Sequence, residues 1–308
     1  MSRLLRTIEK IQETQAAIYK IEGGLRHDQL DETVKLTLSS LQKMQRNLEA
    51  EFAQLSHAEF LDVCSYRFIN ELGNCPSIAA LSSALSDFQT MFTVVVDAVR
   101  TGPKERASYN EEIAKLSSFS FGYTFAGSVG FVMTMPNDRL LFGDSDLDQA
   151  IDFIFKISKA ETSEQIASFA RQVGVASIRK IYEWAKDHVG SSMSADIQWK
   201  RNNEVRSQLL IQTQELEQLI RTIDTTSEES IENITWNGKL VGFDTKTRTF
   251  HLEFEKGTED IKGRLAEGFR ARGEITIDTR YEAKIQKVTT IHYSTEKEDV
   301  RYYLVYLE

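Results

Sequence analysis

Residues 117–136 read SSFSFGYTFAGSVGFVMTMP, and in this stretch the spacing of the apolar residues changes from about 3.6 to 2. Aromatic residues alternate with small ones from Phe119 to Phe125, and apolar residues alternate again from Val129 to Met135. A period of 2 is typical of half-buried strands. Gly127 lies between the two runs and can adopt the positive φ that tight hairpin turns need. The stretch therefore predicts a β-hairpin that begins a central sheet.

A glycine-containing turn can also hold a ligand, because unblocked backbone N–H groups can approach an anion. The sequence Gly127-Ser-Val-Gly130 is not followed by Lys and Ser or Thr, and it does not open a helix. The phosphate-loop and dinucleotide motifs therefore do not fit. A small-molecule site beside this turn stays an open alternative.

Composition bounds the class of protein. The chain has 308 residues, of which 41% are hydrophobic and 27% charged, enough for two or three globular domains. The formal charge of −9 argues against broad electrostatic capture of nucleic acid. No run of about 18 apolar residues and no signal-peptide core occurs, so we expect a cytoplasmic protein. Cys64 and Cys75 lack metal-site spacing.

The first 56 residues carry two apolar stripes with heptad-like spacing, from Leu4 to Leu25 and from Val34 to Leu55. Gly23 and Gly24 separate them. This pattern predicts an antiparallel helical hairpin over residues 1–56. The hairpin either packs on its own chain or forms a homo-oligomer with a second copy, through Leu38, Leu41 and Leu48.

Residues 57–223 predict helices combined with a sheet. Apolar residues predict core helices over 58–72 and 77–101, and strand alternation on both sides of 201–204 predicts a second hairpin ending at Ile211. Two hairpins separated by helices would join as a four-stranded antiparallel sheet with helices on one face. The overall fold class is therefore α+β.

The last part of the chain has a different composition. Residues 224–230 are polar and read as a linker, and residues 231–308 are rich in Ile, Val, Thr, Phe and Tyr in alternation. Five strands are expected in this domain, which predicts a small β-barrel that is either SH3-like or OB-like. The predicted strands cover residues 234–243, 249–254, 260–265, 281–293 and 300–307.

The C-terminal segment resembles the small β modules that end uncharacterised bacterial proteins. The residues that carry the resemblance are Gly238–Asp244, Arg248–Leu252, Asp260–Gly263 and Tyr302–Val305, with Gly127–Gly130 and Asp144–Phe153 adding to it. The resemblance covers about a quarter of the chain and implies a bacterial source. Some such proteins lie in antiviral gene neighbourhoods. The resemblance supplies no catalytic residues.

Asp144, Asp146 and Asp148 are spaced so that their carboxylates could converge on a divalent cation. The calcium-loop pattern then fails, because Gln149 stands where Gly is needed and Phe155 where a bidentate Glu should close the loop. An acidic helix start, which the helix dipole favours, is the preferred interpretation.

Glu282 and Lys284 follow Asp260 and Asp278, an order found in metal-dependent nucleases, where carboxylates bind the metal and Lys positions water. On a strand, Glu282 and Lys284 share one face, so an exposed charge pair is the alternative. The five histidines are scattered, and no Gly-x-Ser-x-Gly motif occurs. We therefore predict no catalytic, cofactor-binding or metal-ligating residues.

The C-terminal domain has a local excess of cations. Small barrels bind single strands through such cations and through aromatic side chains on which bases stack. A solvated charged face and buried core aromatics are the alternative. The residues expected to contact a partner or nucleic acid are Arg264, Arg270, Arg272, Tyr281, Lys284 and Lys287. Further aromatic candidates for stacking are Phe269, Tyr293, Tyr302, Tyr303 and Tyr306.

These observations lead to two functional expectations. The first is a non-enzymatic bacterial interaction or scaffold protein, a component of a multi-protein system such as an antiviral one, which docks a protein partner through its C-terminal barrel. The alternative is a nucleic-acid-binding protein or a metal-dependent nuclease that uses the same domain.

Overall fold

The computed structural model describes residues 2–23, 32–70, 76–125, 129–137, 145–201, 204–253, 260–295 and 298–308. In these ranges the chain is α+β, as predicted, with seven helices and two five-stranded sheets. The chain divides into two compact units, residues 1–225 and residues 226–308. The turn at Gly127 and the residue Asp144 lie outside the described residues.

All seven described helices belong to the N-terminal unit. They are α1 (Arg3–Gly23), α2 (Glu32–Ala58), α3 (Ile78–Thr101), α4 (Glu111–Leu116), α5 (Asp146–Ser158), α6 (Ser163–Gly190) and α7 (Thr213–Asp224).

The N-terminal sheet has the order β2-β3-β1-β4-β5, and every neighbouring pair is antiparallel. The first three strands in this order, β2, β3 and β1, come before α5 in the chain, and β4 and β5 come after α6. The strands are β1 (Leu61–Asn70), β2 (Ser120–Phe125), β3 (Val129–Pro136), β4 (Met193–Arg201) and β5 (Glu204–Ile211).

The predicted core helix over residues 58–72 is wrong, because this segment forms β1. Cys64, Tyr66 and Phe68 are buried while the residues between them are partly exposed, a period of 2. Apolar and aromatic residues are dense in this segment, so helical spacing can also be read from it. The predicted four-stranded sheet therefore has a fifth strand, and β1 joins the two predicted hairpins at the centre.

From β1 to β4 the strands are connected in the order β-α-β-β-α-β, with two helices in each helical connection, and β1 and β3 lie at the centre of these four strands. This is the connectivity of the ferredoxin-like, or split β-α-β, unit. β5 extends the sheet at the β4 edge.

The back of the sheet is covered by α3 and α6. Tyr66 packs edge to face against Phe88 of α3, and Trp199 of β4 stacks on Phe92 of the same helix. Within the described ranges, α3 is the one helix long and apolar enough to cross a membrane. Its packing against the sheet and beside α6 is compatible with the core helix of a soluble protein.

Helix α6 is kinked at Gly174. Gly174 has a φ of 81°, and a Cβ here would lie 2.2 Å from backbone atoms of Lys104. Glycine is needed both for the backbone conformation and for the close approach of the chain before α4.

The predicted antiparallel helical hairpin is present in α1 and α2, since Arg3 at the start of α1 binds Glu51 near the end of α2 at 3.0 Å. The hairpin packs on the front of the sheet over β2 and β3, with Leu48 and Phe52 beside Tyr123 and Val132. Leu48 is therefore buried inside its own chain. A role of Leu38 and Leu41 in self-association stays a prediction.

The C-terminal unit contains five strands in the order β10-β8-β7-β6-β9, and β9 pairs back onto β10, so that the sheet closes on itself. Four pairs are antiparallel, and β8 and β10 are parallel. We call it the closed sheet. Its strands are β6 (Ser227–Asp244), β7 (Thr249–Glu253), β8 (Ile261–Ala271), β9 (Thr279–His292) and β10 (Glu298–Leu307).

The predicted linker over residues 224–230 is shorter than expected. Asp224 ends α7, and Ser227 already pairs with His292 of β9. Exposed polar side chains at the start of β6 gave this segment the composition of a loop, although its backbone is in the sheet.

Candidate functional site

The outer surface of β10 carries two tyrosines. Leu304 and Leu307 are fully buried in the core of the closed sheet, and Tyr303 and Tyr306 are only partly buried. An irregular register between Leu304 and Tyr306 adds one residue to β10 relative to β9. Because an extra residue reverses the alternation, Tyr303 and Tyr306 both face outward although they are three positions apart.

Cations lie beside these tyrosines on both neighbouring strands. Arg264 and Arg270 of β8 are the register partners of Tyr303 and Tyr306. On the other side, Lys284 of β9 is opposite Tyr306, with its Nζ atom 5.6 Å from the ring centroid. This distance permits a cation–π contact. We name this surface, formed by Arg264, Arg270, Lys284, Tyr303 and Tyr306, the Tyr303 face.

The arginines of the Tyr303 face are exposed, and neither Arg264 nor Arg270 forms an ion pair with another described residue. The same holds for two neighbouring cations, Lys262 of β8 and Arg301 of β10. A cavity of about 510 Å³ is lined by Lys262 and Arg301 together with Arg264 and Tyr303. The face therefore offers cations that no carboxylate of the described residues neutralises.

Of the six predicted contact residues, the structure brings Arg264, Arg270 and Lys284 together on the Tyr303 face. The other three lie elsewhere. The guanidinium group of Arg272 binds Glu308, and the Nζ atom of Lys287 is 3.8 Å from a carboxylate oxygen of Glu232.

Tyr281, the remaining predicted contact residue, packs against the core, and its hydroxyl accepts a hydrogen bond from the backbone N–H of Thr276 at 2.8 Å. The predicted stacking aromatics divide in the same way. Phe269 and Tyr302 pack against the core, and Tyr293 is fully buried. Of the aromatics named from the sequence, Tyr303 and Tyr306 are the pair on the cationic surface.

Sequence reasoning missed Lys262 and Arg301. The signal for Lys262 was present, because it is two residues from Arg264 on a strand and must share its face. Arg301 is likewise two residues from Tyr303.

The carboxylates of the nuclease hypothesis have separate partners. The Nε2 atom of His251 lies 3.1 Å from a carboxylate oxygen of Asp260, and the Nζ atom of Lys239 lies 2.9 Å from one of Asp278. The bond to Asp278 raises the pKa of Lys239. Among the residues that the structure describes, no three His, Cys, Asp or Glu side chains are grouped so that they could hold a metal.

Asp148 has a structural position at the start of α5. It completes a capping box with Ser145, whose side chain accepts a hydrogen bond from the Asp148 backbone N–H. Its carboxylate also accepts a bond of 2.9 Å from Arg201. Asp146 and Asp148, the two described residues of this motif, therefore lie in the first turn of a helix, as the preferred interpretation expected.

The N-terminal unit buries a second charged group. Asp62 is completely buried and accepts two hydrogen bonds from Arg201, of 2.8 and 2.6 Å. The side-chain amide of Asn137 also donates to Asp62. Through Arg201 the network joins β1, β4 and the start of α5, and bonding to Asp62 raises the pKa of Arg201.

A neutral buried network lies on the back of the same sheet. The Nδ1 atom of His188 lies 2.9 Å from the carbonyl oxygen of Met193, which can only accept, so Nδ1 carries the proton. Its Nε2 atom then accepts from the hydroxyl of Tyr66 at 2.7 Å, and that oxygen accepts from Trp184. Burial lowers the pKa of His188 to about 4 and raises the pKa of the neighbouring Cys64 thiol.

Comparison with known proteins gives no relative: no protein-family model, no curated protein and no solved structure matches this chain. The resemblance to bacterial β modules stays an expectation. The case for a functional site therefore rests on geometry and charge.

Proposed function

We propose that the closed sheet binds single-stranded nucleic acid on the Tyr303 face. The observation that carries the proposal is the position of Tyr303 and Tyr306 between cations on both neighbouring strands that form no ion pair with a described residue. Aromatic rings stack on bases of any sequence, and cations beside them bind the phosphates that connect those bases. The two kinds of side chain are needed together, and this surface has both.

We further propose that the closed sheet is a barrel of the OB kind rather than the SH3 kind. Its long first strand, β6, is shared between β7 and β9, and its third and fifth strands, β8 and β10, are parallel. These features suit the five-stranded Greek-key OB barrel, which binds oligonucleotides on the face of its second and third strands. β8, with Lys262, Arg264 and Arg270, is the third strand.

The acidic net charge of the chain does not oppose this proposal. Counterion release depends on the cations that contact phosphate, which are local. Acidic side chains of the closed sheet are prominent at the start of β6, where Glu228, Glu229 and Glu232 are exposed. A face that is cationic on an acidic protein favours specific binding over broad capture.

A binding titration tests the proposal. The intact chain is titrated against a fluorescein-labelled oligodeoxythymidylate of about 20 nucleotides, and anisotropy is followed between about 50 and 200 mM KCl. Arg264→Glu with Arg270→Glu should weaken binding at least about tenfold. It should also reduce the slope of log affinity against log salt by roughly 1.4, because each single-strand phosphate contact contributes about 0.7.

The matched control is Arg171→Glu with Arg221→Glu, which changes the net charge equally on exposed arginines of the N-terminal unit. It should leave affinity and slope close to those of the wild type. Equal losses in both double variants, or wild-type binding by the Arg264 and Arg270 variant, would reject the proposal.

A protein partner at the same surface is the second candidate, because Val305, Val300 and Ile231 expose 37, 41 and 59% of their area on the strands around it. A cytoplasmic scaffold that docks another component of a multi-protein system would use such residues. Stoichiometric co-purification of a protein that resists high salt, without binding of oligonucleotide, would favour this candidate.

A further inference from the structure

The front of the N-terminal sheet holds a cleft that the proposed function does not use. Two adjoining cavities of about 260 and 230 Å³ lie between α2 and the strands β1, β3 and β4. Both are lined by Glu49, Ser65, Tyr123, Val132 and Lys200. We name the combined space the sheet cleft. A volume of this order suits a ligand that is smaller than a typical drug-sized molecule.

The register between β1 and β4 sets the chemistry of the floor. Ser65 is opposite Gln198 at its centre. Lys200 is two residues after Gln198 on β4, and Arg67 is two residues after Ser65 on β1. Because the strands are antiparallel, the two cations lie on opposite sides of the Ser65 and Gln198 pair. Two residues of a strand span roughly 6.6 Å, so both long cationic side chains can reach a group that sits over the Ser65 and Gln198 pair.

Neither cation forms an ion pair in the part of the chain that the structure describes, although Asp196, which is opposite Arg67 on β4, also lines the cleft. Asp196 accepts a hydrogen bond of 3.3 Å from Gln208 instead. The guanidinium carbon of Arg67 lies 5.2 Å from the ring centroid of Phe125, and its Nε atom is buried without a hydrogen-bond partner among the described residues. A cation in such a position is costly unless an anion compensates it. The arrangement therefore favours an anionic ligand.

Tyr123 supplies a second, independent indication. It is 93% buried, since 7% of its area is exposed, and an edge-to-face contact with Phe52 holds its ring. Its hydroxyl has no hydrogen-bond partner among the residues described, and it is not one of the fully buried polar atoms, so it is accessible from the cleft that Tyr123 lines. Burial and the nearby charge of Glu49 raise its pKa, so the hydroxyl keeps its proton and can donate.

We infer that the sheet cleft binds a small organic molecule that carries a phosphate or carboxylate group. Lys200 and Arg67 hold the anionic group above Ser65 and Gln198, and Tyr123 donates a hydrogen bond to it. Glu49, on the α2 wall, accepts a hydrogen bond from a hydroxyl or amino group at the other end of the ligand. The ligand is therefore polar at both ends, and a bare hydrocarbon acid does not fit.

Calorimetry on the intact chain tests this inference with three probes of similar size. They are ribose 5-phosphate, the carboxylate gluconate and uncharged ribose. At least one of the two anions should bind saturably below about 10 mM, and ribose should not. Which anion binds more tightly identifies the source of the negative charge. Failure of both anions to bind in this range would overturn the inference.

Variants locate the binding. Lys200→Gln and Arg67→Gln should each weaken it at least about tenfold, and Tyr123→Phe, which keeps the ring in its packing, should weaken it severalfold. Lys156→Gln is the control, because Lys156 lines a different cavity of the same unit. Unchanged binding in both Lys200→Gln and Tyr123→Phe would also overturn the inference.

The test is separable from that of the nucleic-acid proposal. Arg264→Glu with Arg270→Glu should leave binding of the anionic probe unchanged, and Lys200→Gln should leave binding of the oligonucleotide unchanged. Loss of probe binding in the Arg264 and Arg270 variant would mean that the anion binds on the closed sheet instead, and the sheet cleft would then be rejected.

Discussion

Arginine has opposite roles in the two units. In the N-terminal unit, Arg201 is 14% exposed at its side chain and binds two buried carboxylates, Asp62 and Asp148. On the closed sheet, Arg264 and Arg270 are exposed and have no ion-pair partner among the described residues. An arginine that forms ion pairs with buried carboxylates stabilises the fold, whereas an exposed arginine without such a partner can bind a ligand. Only the fold determines which of the two an arginine does.

The largest expected effect comes from breaking the buried side of this comparison. Arg201→Met leaves the completely buried Asp62 without its cation, while Asp148 keeps Arg206 at 3.8 Å. The substitution should lower the free energy of unfolding by about 3–5 kcal/mol. Urea unfolding followed by tryptophan fluorescence measures this. A Trp236→Phe background confines the signal to the N-terminal unit, since the remaining tryptophans are Trp184 and Trp199.

Arg221→Met is the matched control, because Arg221 pairs with Glu217 on the exposed side of α7 at 3.5 Å. Loss of an exposed pair should cost less than about 1 kcal/mol. A cost for Arg201→Met as small as that of the control would show that the buried network contributes little.

The next effect concerns pH. His188 stays neutral in the folded protein down to about pH 4, whereas in the unfolded chain it binds a proton near pH 6.5. As the pH falls through this window, the unfolded state gains a proton that the folded state does not bind, so His188 lowers the free energy of unfolding. The decrease reaches about 3 kcal/mol at pH 4, at roughly 1.4 kcal/mol per pH unit.

Asp87 acts in the opposite direction in the same window. Burial, with Asp187 and Glu183 nearby, raises its pKa to about 6, so the folded state binds the extra proton as the pH falls. The difference in slope between the wild type and His188→Gln isolates the histidine. The wild type should lose stability more steeply on acidification than the variant. Parallel curves would contradict a buried neutral His188.

Much of the fold could be predicted from local pattern. The α+β class, the helical hairpin and the C-terminal run of strands all follow from periodicities of 3.6 and 2. The strand β1 could not, because dense apolar residues from Phe60 to Ile69 fit both periods. This segment is a strand because it pairs with β3 and β4, which lie far away in the chain.

The candidate site could be predicted only in part, because it also depends on contacts between residues that are far apart in the chain. Composition identified the cationic region and the tyrosines, and three of the six named contact residues lie on the Tyr303 face. The irregular register in β10 brings Tyr306 to the face of Tyr303, which strict alternation would exclude. The partners of Arg272 and Lys287, Glu308 and Glu232, are 36 and 55 positions away in the chain, so no local pattern reveals them.

The most direct test of the central claim compares two double variants of the Tyr303 face in the oligonucleotide titration. Tyr303→Ala with Tyr306→Ala removes both stacking rings, and affinity should fall by about 1–3 kcal/mol for each stacked base. Tyr303→Phe with Tyr306→Phe keeps the rings and should bind like the wild type. Wild-type affinity in the alanine variant would contradict the account, because cations without stacking would then suffice.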